Sequence, residues 1–124
     1  MPLVDVEVIG SVAARESLAS ALADALGRAF GSPAGHTWVR LRCLRAEHYA
    51  ENGVPAADTP SPVFVTITAA MPPRGSARAD EARRVAQAVA QVIGRPLERV
   101  HVEYAPPAAG RMAFGGTLIE ADDE

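Results

Sequence analysis

The alternation of apolar and polar positions predicts two strands, each of which begins at a proline. "PLVDVEV" starts at Pro2 and "PVFVTIT" starts at Pro62, sixty residues later, with β-branched side chains at alternate positions. This alternation is typical of a strand with one buried face. Because proline cannot donate to a sheet ladder but is tolerated at the first position of a strand, both strands are expected to begin at these prolines.

After each strand, apolar residues recur at the three-and-four spacing of a helix with one buried face. The first helix is predicted to bury Leu18, Leu22, Ala25, Leu26 and Ala29. The second helix is predicted to bury Ala82, Val85, Ala86, Val89, Val92 and Ile93. The spacing therefore predicts one amphipathic helix in each half of the chain.

Polar residues and a glycine mark the expected ends of these helices. Ser11 is predicted to cap the first helix and Ser76 the second, because a serine hydroxyl can accept a hydrogen bond from a free backbone amide. Asp80 and Glu81 are predicted to lie in the first turn of the second helix, where negative charge is favourable. Gly94 is predicted to end that helix.

A further strand is predicted after each helix, within "HTWVRLRCL" and "LERVHVEY". A strand, a helix and a second strand form a right-handed βαβ unit with parallel strands. The sequence thus predicts one α/β domain over 1–124 (α+β in some classifications), with repeats over about 2–53 and 62–116 and a linker over about 51–61. The closing "EADDE" is expected to be a solvated acidic tail.

The four strands are expected to form one mixed sheet with both helices on the same face. The opposite face would carry valine and leucine as well as charged side chains and would have no helix over it. A closed oligomer is the simplest way to bury such a face, so we expect the chain to self-associate.

Charge and hydropathy exclude two classes of partner. The net charge is −3 and the pI is about 5.6, so the chain lacks the basic field that a phosphate backbone attracts. No apolar run approaches the ~20 residues that cross a bilayer, and no secretion signal is recognisable. We therefore expect a cytoplasmic protein that binds neither nucleic acid nor membrane.

The few residues of metal and thiol chemistry do not form a pattern. Cys43 is the only cysteine, which excludes an internal disulfide, and its apolar surroundings predict a buried thiol. His36 and His48 have no ligand-type residues at metal-binding spacing. We expect neither a metal nor a cofactor.

Every one of the twelve basic residues is an arginine. The absence of lysine excludes a Schiff base and a lysine nucleophile. A site for a carboxylate would therefore depend on arginine, whose guanidinium can bind both carboxylate oxygens at once.

Taken in order along the chain, these features resemble the tautomerase superfamily, which includes 4-oxalocrotonate tautomerase and macrophage migration inhibitory factor. The resemblance rests on Pro2 after Met1, on "VRLRC" and "RVHVEY" as second strands, and on "GRMAFGG", which is similar to the hairpin of the family. It covers nearly the whole chain. The length and the repeat resemble the long members of the family, in which two fused units form a trimer.

The resemblance implies that Pro2, once Met1 is removed, is a general base and acid. Burial or a nearby cation disfavours the charged form of an amine, and so brings a proline nitrogen towards neutrality. Such a base can take a proton from the carbon beside a carbonyl and return it elsewhere, which is tautomerisation. Pro62 cannot do this, because its nitrogen is a tertiary amide, so we expect three active sites in a trimer.

Family members bind small keto or enol acids, and the resemblance places the substrate-binding groups near Pro2. Arg74 and Arg78, in the loop that enters the second helix, are expected to hold the carboxylate. Met112 and Phe114 are expected to form an apolar wall. The spacing does not decide which arginine binds the substrate.

His101 and Glu103 share one face of their strand because side chains alternate along it. The resemblance places them across a subunit interface, beside the proline of a neighbouring chain. His101 would donate a hydrogen bond or proton to the substrate carbonyl, and Glu103 would orient the substrate or activate water. Arg40 and Arg42, at corresponding positions of the first half, are interpreted as structural or vestigial.

Two alternatives remain open from the sequence. A dehalogenase, hydratase or decarboxylase would use protonated Pro2 as an acid and a carboxylate such as Glu103 to activate water. A trimeric binding protein would keep the fold without turnover, and retention of Met1 would favour it, since an acylated Pro2 cannot be a base.

Overall fold

The structure, a computed structural model, describes residues 2–12 and 16–120. It contains two α-helices and six strands: β1 (Leu3–Ile9), α1 (Leu18–Phe30), β2 (Trp38–Leu44), β3 (Val63–Thr68), α2 (Gly75–Ile93), β4 (Val100–Tyr104), β5 (Ala113–Phe114) and β6 (Thr117–Leu118). Met1 lies outside the described residues, as does all but the first residue of the predicted acidic tail.

Four strands form one mixed sheet, as predicted, and their order is β2-β1-β3-β4. β1 is parallel to β2, β3 is parallel to β4, and the two central strands are antiparallel. Leu3 pairs with Thr68, and Ile67 pairs with Tyr104. The start of β1 and the ends of β3 and β4 therefore lie together at one end of the sheet, which we call the Pro2 end.

Both helices cover the same face of this sheet, which confirms the predicted layer arrangement. They pack beside each other, and Arg84 Nε donates to the Ala29 carbonyl across their contact at 3.1 Å. The core between helices and sheet combines valines and isoleucine from β1 and β3 with buried residues of both helices: Val4, Val6, Val8, Val63, Val65, Ile67, Leu18, Leu22, Leu26, Val85 and Val89.

Three predictions about the starts of the helices are wrong: the two serine caps and the acidic first turn of α2. α1 begins at Leu18, well after Ser11, so Ser11 does not cap it. α2 begins at Gly75, and Ser76 therefore lies inside the helix. A left-handed φ of 58° at Gly75 turns the chain into the helix earlier than the serine would.

The early start of α2 also moves its acidic residues. Asp80 and Glu81 lie beyond the first turn, which contains no acidic residue. The predicted end of α2 is confirmed, because Gly94 takes a left-handed conformation and its amide donates to the Ala90 carbonyl at 2.9 Å.

Cys43 is exposed, so the prediction of a buried thiol is wrong. It faces the helix side of β2, next to Val8 in the parallel register. β2 is an edge strand of the sheet, and the core lies mainly against β1 and β3. An apolar run on an edge strand does not by itself bury a side chain.

Each half of the chain closes with a tight turn. The predicted hairpin in "GRMAFGG" is present, with Phe114 paired to Thr117 across two glycines. In the linker, Glu51 pairs with Val54 across an equivalent two-residue turn. The linker is therefore a folded segment that repeats the C-terminal hairpin in shorter form.

The face of the sheet away from the helices, which we call the open face, is rich in charge. It carries Asp5, Glu7, Arg40, Arg42, His101 and Glu103, together with Trp38 and Phe64. Over the described parts of the chain, no helix has both the length and the hydropathy to cross a membrane.

Candidate active site at the Pro2 end of the sheet

Pro2 is buried at the end of the central strand β1. The Trp38 amide donates to the Pro2 carbonyl at 3.0 Å, and Leu3, the next residue, pairs with both Trp38 and Thr68. Continuing the alternation of β1 back to Pro2 places its ring on the same face as Val4, the face that the helices cover. The backbone of the sheet thus fixes Pro2 in a buried position.

The C-terminal hairpin is anchored to the same end of the sheet. The Ala108 amide donates to the Ala69 carbonyl, just beyond β3, at 2.9 Å. The Phe114 ring meets the Trp38 ring edge to face, with 4.6 Å between the ring centroids. Phe114 is therefore brought next to the residue that holds Pro2. Met112 is half-buried in the same hairpin.

The two candidate arginines at the start of α2 differ in how firmly they are held. Arg78 is half-buried, its Nε donates to the Pro73 carbonyl at 2.7 Å, and its Cζ lies 5.1 Å from the centroid of the Tyr104 ring. Arg74 precedes the helix and is exposed. Within residues 2–12 and 16–120, the Arg74 side chain forms neither a hydrogen bond nor an ion pair.

Tyr104 and Glu81 complete this cluster, and the sequence did not single out either of them for the site. The Tyr104 hydroxyl donates to Glu81 Oε1 at 2.7 Å. Burial, and next the bond to the Glu81 carboxylate, raise the pKa of Tyr104, so the phenol stays protonated and remains a donor. The sequence does contain a signal for the position of Tyr104, since it alternates with Val100 and Val102 and so lies on the helix-covered face of β4.

His101 and Glu103 lie on the open face, and within one chain the structure does not bring His101 to Pro2. His101 pairs with Phe64, which pairs with Glu7, four residues along β1 from Leu3. That separation is roughly 13 Å along the strand. The His101 ring instead lies 5.4 Å from the Phe64 ring, while Glu103 Oε1 accepts a hydrogen bond from Thr66 Oγ1 at 3.2 Å.

Arg40 and Arg42 face Asp5 on the open face, in agreement with a structural role. Arg40 Nε donates to Asp5 Oδ1 at 2.7 Å and Arg40 Nη2 to Asp5 Oδ2 at 3.0 Å, which is a bidentate pair. Arg42 Nη2 lies 3.8 Å from Asp5 Oδ1. The hydrogen bonds from Arg40 lower the pKa of Asp5 below its ordinary value of 3.8.

The lowered pKa of Asp5 predicts an acid-dependent loss of stability that Asp5→Asn removes. A carboxyl whose pKa is depressed on folding stabilises the protein above its unfolded pKa, and this contribution is lost as the pH falls through the folded pKa. We expect the free energy of unfolding of the wild type to fall more steeply than that of Asp5→Asn between about pH 5 and about pH 2.5. Urea titrations at several pH values measure this, and parallel pH profiles for the two proteins would contradict it.

The other end of the sheet, where β3 begins, contains a cavity of about 160 Å³ beside Pro62. Its polar wall is a closed network: Tyr49 donates to Glu51 Oε2 at 2.6 Å, and Arg99 Nη2 lies 2.5 Å from the same oxygen. Arg99 Nε also donates to the Pro60 carbonyl at 2.8 Å. Arg99 is therefore already bound to a carboxylate of its own chain, and Arg95, at the same end, donates to the Ser61 carbonyl at 2.7 Å.

Metal-ligating side chains are scattered over the molecule. Over residues 2–12 and 16–120, no group of three or more histidine, cysteine, aspartate or glutamate side chains is placed to hold a metal ion.

No model of a protein family matches the sequence, and no curated protein matches it. Solved structures do resemble it. A wild-type fused 4-OT that forms a symmetric trimer superimposes with a TM-score of 0.75 at 19% identity, covering 94% of each chain. Pt0534 gives a TM-score of 0.74 at 21% identity, covering 94% of this chain and 96% of its own.

A third solved structure is similar as well. Macrophage migration inhibitory factor from Oncomelania hupensis gives a TM-score of 0.71 at 20% identity, covering 98% of this chain and 84% of its own. At these identities the similarity establishes the fold alone. The chain has the fold of the fused 4-OT proteins, which the macrophage migration inhibitory factor structure shares.

Proposed function

We propose that this protein is a cofactor-independent tautomerase, in which Pro2, freed by removal of Met1, acts as general base and acid. Its substrate is a small keto or enol acid that carries a carboxylate. The placement of Pro2 supports this proposal, because Pro2 is buried at the Pro2 end of the sheet. From the same end of the sheet the chain continues through Arg74 into α2, which carries Arg78. A base and two cations for an anionic substrate thus belong to one end of one chain.

The buried position of Pro2 suits a base that must be uncharged. Burial disfavours the protonated form of an amine, and a guanidinium nearby adds to that effect. Neutral Pro2 would take a proton from the carbon beside the substrate carbonyl, and protonated Pro2 would return it at another position. The atoms balance without a cofactor, because a proton leaves one carbon or oxygen and is added to another.

Arg78 is the better candidate for the carboxylate. It is held by the Pro73 carbonyl and the Tyr104 ring, so little side-chain freedom is lost when it binds. Arg74 is exposed and free to adjust, which suits a second contact to the substrate or to the charge that develops on the enolate. Phe114 and Met112 would close the apolar side of the site.

The proposed active unit is a homotrimer in which each site is shared between two subunits. Trp38 is an exposed large apolar side chain on the open face, which a partner subunit would cover, and the similar fused 4-OT is a symmetric trimer. His101 cannot act on the Pro2 of its own chain, so its proposed role, donation to the substrate carbonyl oxygen, is assigned to the site of a neighbouring subunit.

A hydrolytic or lyase reaction in the same site is the second candidate. Glu103 favours it, because this exposed carboxylate accepts only one hydrogen bond from the described residues, through Oε1, and keeps Oε2 available for water. In that case protonated Pro2 would be the acid and Glu103 of a neighbouring subunit would activate the water.

Labelling with a reactive keto acid tests the proposal. Pt0534, which shares the fold, is inactivated by 2-oxo-3-pentynoate. We expect the same compound to add once per chain to this protein, at Pro2, with loss of ketonisation of phenylenolpyruvate or 2-hydroxymuconate. Intact mass shows whether Met1 has been removed, and peptide mapping locates the adduct. An adduct at another residue, or a retained Met1 in an active protein, would contradict proline catalysis.

A further inference from the structure

Two contacts hold the Arg78 guanidinium, and they leave its two terminal nitrogens available. Nε donates to the Pro73 carbonyl at 2.7 Å, and Cζ lies over the Tyr104 ring, 5.1 Å from its centroid. In the part of the chain that the structure describes, neither terminal nitrogen of Arg78 has a hydrogen bond or a carboxylate partner. These two nitrogens form the edge that binds a carboxylate in bidentate fashion.

The Tyr104 ring is itself fixed by a carboxylate one turn further along α2. Glu81 Oε1 accepts the Tyr104 hydroxyl at 2.7 Å. Glu81 and Arg78 are three residues apart on the helix and could pair directly, but the Glu81 carboxylate is taken up by the phenol. Among the described residues, Arg78 and Glu81 therefore form no ion pair.

The Pro62 end of the sheet shows the opposite arrangement with the same types of residue. There Tyr49 and Arg99 both bind Glu51, so carboxylate, phenol and guanidinium are joined in one closed network. At the Pro2 end the phenol lies between the carboxylate and the guanidinium, and only the ring face contacts the arginine. Arg99 is thus bound to a carboxylate of its own chain, whereas the terminal nitrogens of Arg78 remain available.

We propose that Tyr104 is a positioning residue: anchored by Glu81, it holds the Arg78 guanidinium edge-on to the substrate carboxylate and keeps Glu81 from neutralising it. This inference rests on the proposed function and deepens it, since it assigns carboxylate recognition to Arg78. Tyr104 does not touch the substrate and acts through Arg78.

The kinetic consequence is a change in substrate binding. Contact of a cation with an aromatic face supports Arg78, so Tyr104→Leu is expected to raise KM for 2-hydroxymuconate roughly ten-fold. Because the carboxylate is remote from the reacting carbon, kcat should change by less than about three-fold. Tyr104→Phe keeps the ring but loses its anchor on Glu81, and should raise KM by about three-fold.

A double-mutant cycle separates positioning from a general structural role. In the Arg78→Ala background, Tyr104→Leu should produce no further rise in KM, since the residue through which it acts is absent. Tyr49→Leu is the matched control, because Tyr49 also donates to a glutamate but lies at the Pro62 end. It should leave KM unchanged. Thermal unfolding identifies any variant that fails to fold, in which case Tyr104→Phe and Glu81→Gln carry the test.

Binding in a background without catalysis distinguishes the two ways of failing. Titration of 2-oxobutanoate into Pro2→Ala, with and without Tyr104→Leu, reports carboxylate binding whether or not the wild type turns over. Weaker binding with Tyr104→Leu supports the positioning role, even if the wild type proves inactive and the proposed tautomerase is wrong. Equal binding, or a KM effect of Tyr104→Leu that persists in Arg78→Ala, overturns the positioning role while leaving proline catalysis in place.

Discussion

Replacement of Pro2 by alanine is expected to lower kcat/KM for an enol acid by about 10²-fold or more, towards 10⁴-fold, without disturbing the fold. Alanine keeps a terminal amine but loses the ring that fixes φ, so the nitrogen is no longer held in one orientation. The contact that anchors this end of the chain is made by the Pro2 carbonyl, which alanine also has. Steady-state ketonisation assays measure the change in kcat/KM, and circular dichroism shows whether the fold is retained.

Pro62→Ala is the matched control for that result. Pro62 also precedes a central strand and is fully buried, but its nitrogen is an amide inside the chain and cannot be a base. We expect turnover within about two-fold of the wild type and a lower free energy of unfolding, because buried volume is lost. Unchanged turnover in Pro2→Ala would remove proline catalysis, and an equal loss in both variants would point to damage of the fold.

Much of the fold could be predicted because it depends on local periodicity. Leu22 and Leu26 in α1, and Val85 and Val89 in α2, follow the helical repeat and are all buried as the pattern requires. The glycine end of α2 likewise depends on a few neighbouring residues. Such features are specified within a single element and do not require knowledge of what packs against it.

The register of the strands could not be read from the repeat. Aligning Pro2 with Pro62 matches Val4 to Phe64, yet Val4 faces the helices and Phe64 faces the open side. Aligning the faces instead matches Val4 to Val65, one residue later. Since a shift of one residue reverses every side chain of a strand, the two prolines are similar in sequence position without being strictly equivalent in space.

Tyr104 and Glu81, which complete the candidate site, were not identified from the sequence. They are 23 residues apart, and their contact with each other and with Arg78 depends on how α2 packs against β4. The exposure of Cys43 has a related cause, because only the order of strands shows that β2 is at the edge. In each case the packing of the elements determines the outcome, and the local sequence either gives no signal or favours the wrong one.

Mixing two inactive variants is expected to restore activity if the site is shared between subunits. Pro2→Ala lacks the base, and His101→Ala lacks the proposed donor to the carbonyl oxygen, whose removal should cost about 10²–10³-fold. Because His101 lies away from the Pro2 of its own chain, a mixed trimer contains sites that join an intact Pro2 to an intact His101 from the next chain. Unfolding and refolding the two variants together at equal concentration should recover about a quarter of wild-type activity.

The chain offers a control that should behave in the opposite way. Arg78 lies at the Pro2 end of the same chain, so a mixture of Pro2→Ala with Arg78→Ala can never place an intact Pro2 beside an intact Arg78. That mixture should show no more than the summed activity of its parents. Recovery with Arg78→Ala but not with His101→Ala would reverse the assignment, since it would mean that the arginine is contributed by the neighbour and that His101 serves only the packing against Phe64.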